Sequence, residues 1–157
     1  MYSFRKSKKG FTLIELMVVV AIIGVLALLG LRLYTGQQEK AKNAIVKANA
    51  GTIQTLIQAE LADSAPTTVA SMFSLLGENG GAIAGLRNPY TNTNVVVVSG
   101  GEGDGDRPDA NDCSDEGQVV VCYDNNTTAE VWYIQGYGKA LTGGGYEVAG
   151  ELLQAQR

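Results

Sequence analysis

The chain has 157 residues, is 45% hydrophobic and 18% charged, carries a formal net charge of −4, and contains no histidine. This length suits one globular domain, and an acidic balance lacks the clustered Lys and Arg with which a protein neutralises phosphates, so no nucleic-acid partner is expected for the isolated chain. Without histidine the commonest general base, the Ser-His and Cys-His nucleophile pairs and the usual zinc ligand sets are all missing, so the expectation is a non-enzymatic protein with no cofactor.

Residues 1–10 form a short polar leader carrying Arg5, Lys6, Lys8 and Lys9. From Phe11 to Leu31 every residue except Thr12 and Glu15 is apolar or glycine, and the run closes at Arg32. At about 1.5 Å of rise per residue, roughly 20 such residues cross a hydrocarbon core of about 30 Å. The four leading cations place the leader on the cytoplasmic side and send the chain beyond Arg32 outward. A cleaved secretory signal is the competing reading, but its apolar core is about 7–15 residues and ends in a small-residue cleavage site. Glu15 stands out, because an ionisable side chain in a membrane helix costs on the order of 2.5–3.5 kcal/mol and is usually paired or functional.

The stretch Lys9-Gly10-Phe11-Thr12-Leu13-Ile14-Glu15, followed by the apolar run, resembles the cleavage and methylation motif of type IV prepilins and of the related type II secretion pseudopilins. The resemblance implies that a prepilin peptidase cuts between Gly10 and Phe11, that Phe11 becomes N-methylated, and that the helix serves first as membrane anchor and then as filament core. It implies that Glu15 pairs with the Phe11 amine of a neighbouring subunit and so fixes axial register. Many family members carry a proline where Arg32 stands here, so helix loosening in this chain would rest on Gly24 and Gly30.

Beyond Arg32 the pattern Ala41, Ala44, Ile45, Ala48 and Leu56 approximates an amphipathic stripe, which predicts one helix from about Phe11 to Asp63, ending before Pro66. Two helices broken at Gly36 or Gly51 are the alternative, since each glycine costs about 1 kcal/mol in a helix. The segments are thus 1–10, the leader; 11–31, the membrane or filament-core half; 32–63, the amphipathic half; 64–94, a connecting region; and 95–157, a sheet region. Within 64–94, Val69 to Gly77 predicts a short helix, and Asn88-Pro89-Tyr90 is a turn-to-strand transition, also similar to a loop of the same family.

Strands are expected at Val95–Val98, Gln118–Tyr123, Ala129–Gln135 and Tyr146–Ala149, with Asp124 to Thr127 as a hairpin turn. Gly100 to Gly103 reads as a flexible loop, and Glu151 to Gln156 as a helical turn or a frayed end. The overlapping Asn-x-Thr patterns at Asn125 and Asn126 are explained by turn chemistry. Tyr123, Tyr133, Tyr137, Tyr146 and Trp132 are expected to pack around the strands. Cys113 and Cys122 lie in the exported part, where a pair favours a disulfide over redox chemistry; the short loop would contribute about 2–3 kcal/mol. In the acidic stretch between Glu102 and Glu116, the candidate calcium ligands are Asp104, Asp106, Asp109 and Asp112. A solvated acidic loop is the other reading, and the EF-hand register is absent.

The expected fold is α+β, the type IV pilin fold: a long N-terminal helix on a small antiparallel sheet. The expected role is a subunit that polymerises into a pilus, with homo-oligomeric, membrane, peptidase and inner-membrane assembly-platform partners. The precursor would sit in the cytoplasmic membrane and the mature form on the cell surface. Two alternatives are a pseudopilin of a secretion or DNA-uptake machine, and an anchored extracellular binding protein that never polymerises.

Overall fold

The structure is a computed structural model that describes residues 10–63, 68–76, 83, 85–94, 97–102, 107–124, 131–140 and 145–156. The elements are α1 (Leu13–Asp63), α2 (Val69–Leu76), β1 (Val97–Glu102), a 3₁₀ turn (Ala110–Asp112), β2 (Gln118–Asp124), β3 (Val131–Lys139), β4 (Tyr146–Val148) and β5 (Leu153–Gln156). The long-helix α+β architecture is the expected one. The chain divides into two compact units, Met1–Gln37 and Gln38–Arg157, and α1 contributes to both.

In the first unit α1 is apolar on every side, and its large side chains from Phe11 to Tyr34 are all exposed. A helix without a polar face has its natural place inside a protein assembly or a membrane. Among the described residues, α1 is the one helix long and apolar enough to cross a membrane.

In the second unit α1 packs one stripe against the sheet: Val46, Asn49, Ala50, Ile53, Ile57 and Leu61. This is a correction to the stripe expected from the sequence. Ala41, Ala44, Ile45 and Ala48 are exposed, Ile45 by 47%, and only Leu56 packs against the core. Both stripes satisfy the spacing of a helix face, and the choice between them was made by β3. Its residues Gly136 and Gly138 share one face, and the helix lies over them: a Cβ on Gly136 would stand 2.9 Å from Val46, and one on Gly138 would collide with Asn43. Two missing side chains let the backbones approach, and the helix turns the residues above that groove inward.

The sheet is five-stranded and mixed. β2 and β3 pair antiparallel from Gln118↔Tyr137 to Asp124↔Val131. β1 runs parallel to β2, from Val97↔Val119, where an antiparallel strand was expected. The reason is the long connection between β1 and β2, whose described residues 107–117 run over the far face of the sheet as the crossover that parallel neighbours require. β4 and β5 lie end to end along the free edge of β3, against Tyr137–Lys139 and Val131–Ile134 respectively. Two further expectations are corrected here. Gly100 and Gly101 belong to β1, and the C-terminal residues form a strand. The hairpin residues 125–130, including both Asn-x-Thr patterns, lie outside the described residues.

Alternation along the strands makes two cores. On the helix side, Val119, Val121, Tyr123, Trp132, Ile134 and Ala155 meet the α1 stripe and α2. On the far side, Val120, Cys122, Val131, Tyr133 and Tyr137 are covered by Cys113 and Ala110 of the crossover. Burial of both faces explains why β2 reads as an unbroken apolar run. Of the five aromatic residues expected around the strands, four are buried and Tyr146 packs at the margin of the far core.

Candidate functional site

The N-terminal site starts at Gly10 and Phe11, which precede the first helical residue and stand exposed, Phe11 by 88%. Thr12 is the residue that starts the helix. Its backbone N–H donates to Glu15 Oε2 at 2.9 Å, its hydroxyl donates to the same oxygen at 2.7 Å, and the Glu15 N–H donates back to the Thr12 hydroxyl at 3.3 Å. This reciprocal capping box supplies two otherwise orphan groups of the first turn and holds the carboxylate at the positive end of the helix dipole. The Thr-x-x-Glu signature was present in the sequence and explains the Thr12–Glu15 geometry without a partner chain.

In the second unit the connecting loop is fastened by Asn88, which is 1% exposed. Its Nδ2 donates to the Glu116 carbonyl at 2.8 Å, and its Oδ1 accepts from the Tyr90 N–H at 2.8 Å. Gly117, at φ +89°, leaves the space that this side chain fills. Tyr90 then reaches α1, donating its hydroxyl to Asn43 Oδ1. Asn43 also donates to the Lys139 carbonyl and accepts from the Lys139 N–H, both at 3.2 Å, so one amide ties helix, loop and β3 together. Lys42 places its ammonium 4.9 Å from the Tyr90 ring centroid. Burial raises the Tyr90 hydroxyl above the ordinary phenol range; the Lys139 N–H opposes this, and the Glu39 and Glu116 carboxylates add to it. Sequence reading identified Asn88-Pro89-Tyr90 as a turn but missed its link to Asn43, because nothing local pairs residues so far apart.

Cys113 and Cys122 are both buried thiols in the far core. Burial, with the Asp112 charge adding, pushes the Cys113 thiol up to about 12. Gly100 of β1 faces the Cys122 sulfur so closely that a Cβ there would collide with it. The crossover's 3₁₀ turn has its own capping box. Asp109 Oδ1 accepts from the Asn111 N–H at 2.8 Å, and Asp112 Oδ2 accepts from the Asp109 N–H at 2.9 Å. Two of the four candidate calcium ligands thus serve as local caps, while Asp104 and Asp106 lie outside the described residues. Among the described residues no group of three or more His, Cys, Asp or Glu is placed to hold a metal, whereas calcium takes six to eight oxygens.

The family described as the prokaryotic N-terminal methylation motif matches residues 5–31. The chain is 45% identical over 62 residues to the fimbrial protein EcpB of Eikenella corrodens, covering 40% of this chain and 39% of that protein. It is 31% identical over 91 residues to the type IV major alpha-pilin of Moraxella bovis, covering 58% of this chain and 57% of that one. Over 56 residues it is 43% identical to the type IV major fimbrial protein FimA of Dichelobacter nodosus, at 36% of both chains. The matches therefore span less than two thirds of these relatives' own lengths. No solved structure matches the chain. The methylation motif, the long N-terminal helix on a small sheet, and the partial identity to major pilins together make the chain similar to type IV pilins.

Proposed function

We propose that the chain is a structural subunit of a type IV pilus: cleaved between Gly10 and Phe11, methylated on the new Phe11 amine, and assembled through the first half of α1. The observation that carries this is the apolar surface from Phe11 to Tyr34, exposed on every side and opened by a methylation motif. Each Leu, Ile or Val of that surface gains about 1.5–3 kcal/mol on full burial. The membrane supplies that burial for the precursor, and neighbouring helices supply it in the fibre. The exposed, non-helical Gly10–Phe11 bond is suited to a peptidase. After the cut, the carboxylate held by Thr12 offers its remaining capacity to the Phe11 amine of the next subunit, and leaving either charge unpaired in a filament core is costly.

The precursor would be held in the cytoplasmic membrane, with its leader on the cytoplasmic side, and handed to an inner-membrane assembly platform; the mature protein would stand on the cell surface. Its work is mechanical rather than catalytic. Cys113 and Cys122 would form a bridge joining the crossover to β2 once the chain is in an oxidising compartment. The test is complementation of a strain lacking this chain. The wild-type chain restores surface fibres, and Glu15→Ala is processed normally yet yields few. Fibre formation by Glu15→Ala at the wild-type level would remove Glu15 from assembly. Failure of the wild-type chain to restore fibres would remove the filament reading itself.

A further inference from the structure

In the second unit a lysine-bearing face of α1 and an acidic stretch of the crossover lie on opposite sides of the sheet. After removal of the leader, eight basic and 16 acidic side chains remain, a net −8, so copies of the chain repel one another. Yet four of the eight cations fall between Arg32 and Lys47, and seven of the 16 acids fall between Glu102 and Glu116. Within the second unit, Lys40 and Lys47 are exposed beside the uncovered helix face of Ala44, Ile45 and Ala48. Lys42 is already occupied with the Tyr90 ring. The described acids Asp109, Asp112, Asp115 and Glu116 lie on the crossover, whose Cys113 and Ala110 cover the sheet face opposite to the helix. Asp109 and Asp115 are exposed there, with Asp112 and Glu116 half-buried, against the single cation Arg107, which lies over the Tyr133 ring.

We infer that the exposed α1 face carrying Lys40 and Lys47 docks on the acidic crossover of a second copy of this chain. Charge complementarity names the occupant: the sheet keeps the two patches of one copy apart, and a like-signed approach of whole subunits is repulsive. Two different patches on opposite faces make a heterologous contact, which repeats without closing and builds a filament rather than a dimer. The exposed Ile45 supplies the apolar centre and the charges the rim, an arrangement common to protein interfaces. This docking rests on the pilus-subunit reading.

The test uses the full chain, expressed in cells, as Lys40→Glu, Asp115→Lys, and the two together. Asp115 is chosen because Asp109 and Asp112 cap the 3₁₀ turn. Each single reversal lowers filament yield about fivefold while the processed subunit accumulates in the membrane at the wild-type level, and the double reversal restores fibres. Sheared wild-type filaments fall apart sooner as salt rises, since the rim charges are screened beyond about 8 Å at physiological ionic strength. Unchanged yield in both single variants would overturn the docking, and so would a double variant no better than either single one. Absence of wild-type filaments would instead overturn the pilus-subunit reading.

Discussion

Asn88 is a buried polar side chain whose amide organises the connecting loop of the second unit. It fastens the connecting loop to the end of the crossover from a fully buried position. Asn88→Ala leaves the Glu116 carbonyl and the Tyr90 N–H without their partner, at about 1–3 kcal/mol for each group that stays buried. We expect a lower urea midpoint for the full-length chain in detergent, with an unchanged denaturant slope. A variant as stable as the wild type would show that water replaces the side chain. Gly138 is constrained as tightly, because any Cβ there meets Asn43. Gly138→Ala is expected to break the Tyr90–Asn43–Lys139 junction and to cost about 1–3 kcal/mol by overpacking. Tyr137 and Cys113 add a dependence on pH. Burial pushes the Tyr137 hydroxyl up to about 12 from 10.0, as it does the Cys113 thiol from 9.0. A raised folded-state value means that the native protein keeps its proton longer than the unfolded chain does. The stability this brings is complete below pH 9 and is lost as pH rises through about 12. Calorimetry of the full-length chain should show Tm falling from about pH 9 upward. With the cysteines bridged, only the tyrosine part remains, so the fall begins nearer pH 10.

At the scale of elements, the edge of the sheet is closed by the helix rather than by another strand. Gln54 Nε2 donates to the Gln154 carbonyl and Gln58 Nε2 to the Gln156 carbonyl, both at 2.8 Å. Four helical residues rise about 6 Å, close to the two-residue repeat of a strand, so glutamines one turn apart match alternate carbonyls. An edge capped in this way is a poor template for strand addition. The double variant Gln54→Ala with Gln58→Ala should speed hydrogen exchange at Leu153–Gln156 while leaving β2 protected; equal protection in β5 would show that its ladder with β3 suffices. The long helix, α2, β2, β3, the short β4 and the first half of β1 were legible in the sequence, because they depend on local periodicity and β-branched runs. Three things were not. The direction of β1 depends on where the crossover runs. The buried stripe of α1 depends on glycines more than 80 residues away in sequence. The C-terminal strand depends on the vacant half of an edge that only the fold creates. At the candidate site, the Gly10-Phe11 junction and Glu15 were visible as a motif. The Thr12–Glu15 box is equally local, being carried by the Thr-x-x-Glu spacing alone.

At the scale of the whole molecule, a chain with one end apolar on every side has no stable place as a soluble monomer. A membrane or a protein assembly would bury that end; on the function proposed above, removal of the leader would commit the chain to the assembly. Ile57→Ala in the second unit should therefore cost about 2–5 kcal/mol of domain stability without blocking leader removal, since Ile57 belongs to the buried stripe and not to the apolar end. The most direct test of the central claim is the mass of the N-terminal peptide from material sheared off the cell surface. The expected result is an abundant chain beginning at Phe11 and heavier there by one methyl group. A mature surface protein that still carries residues 1–10 would contradict it.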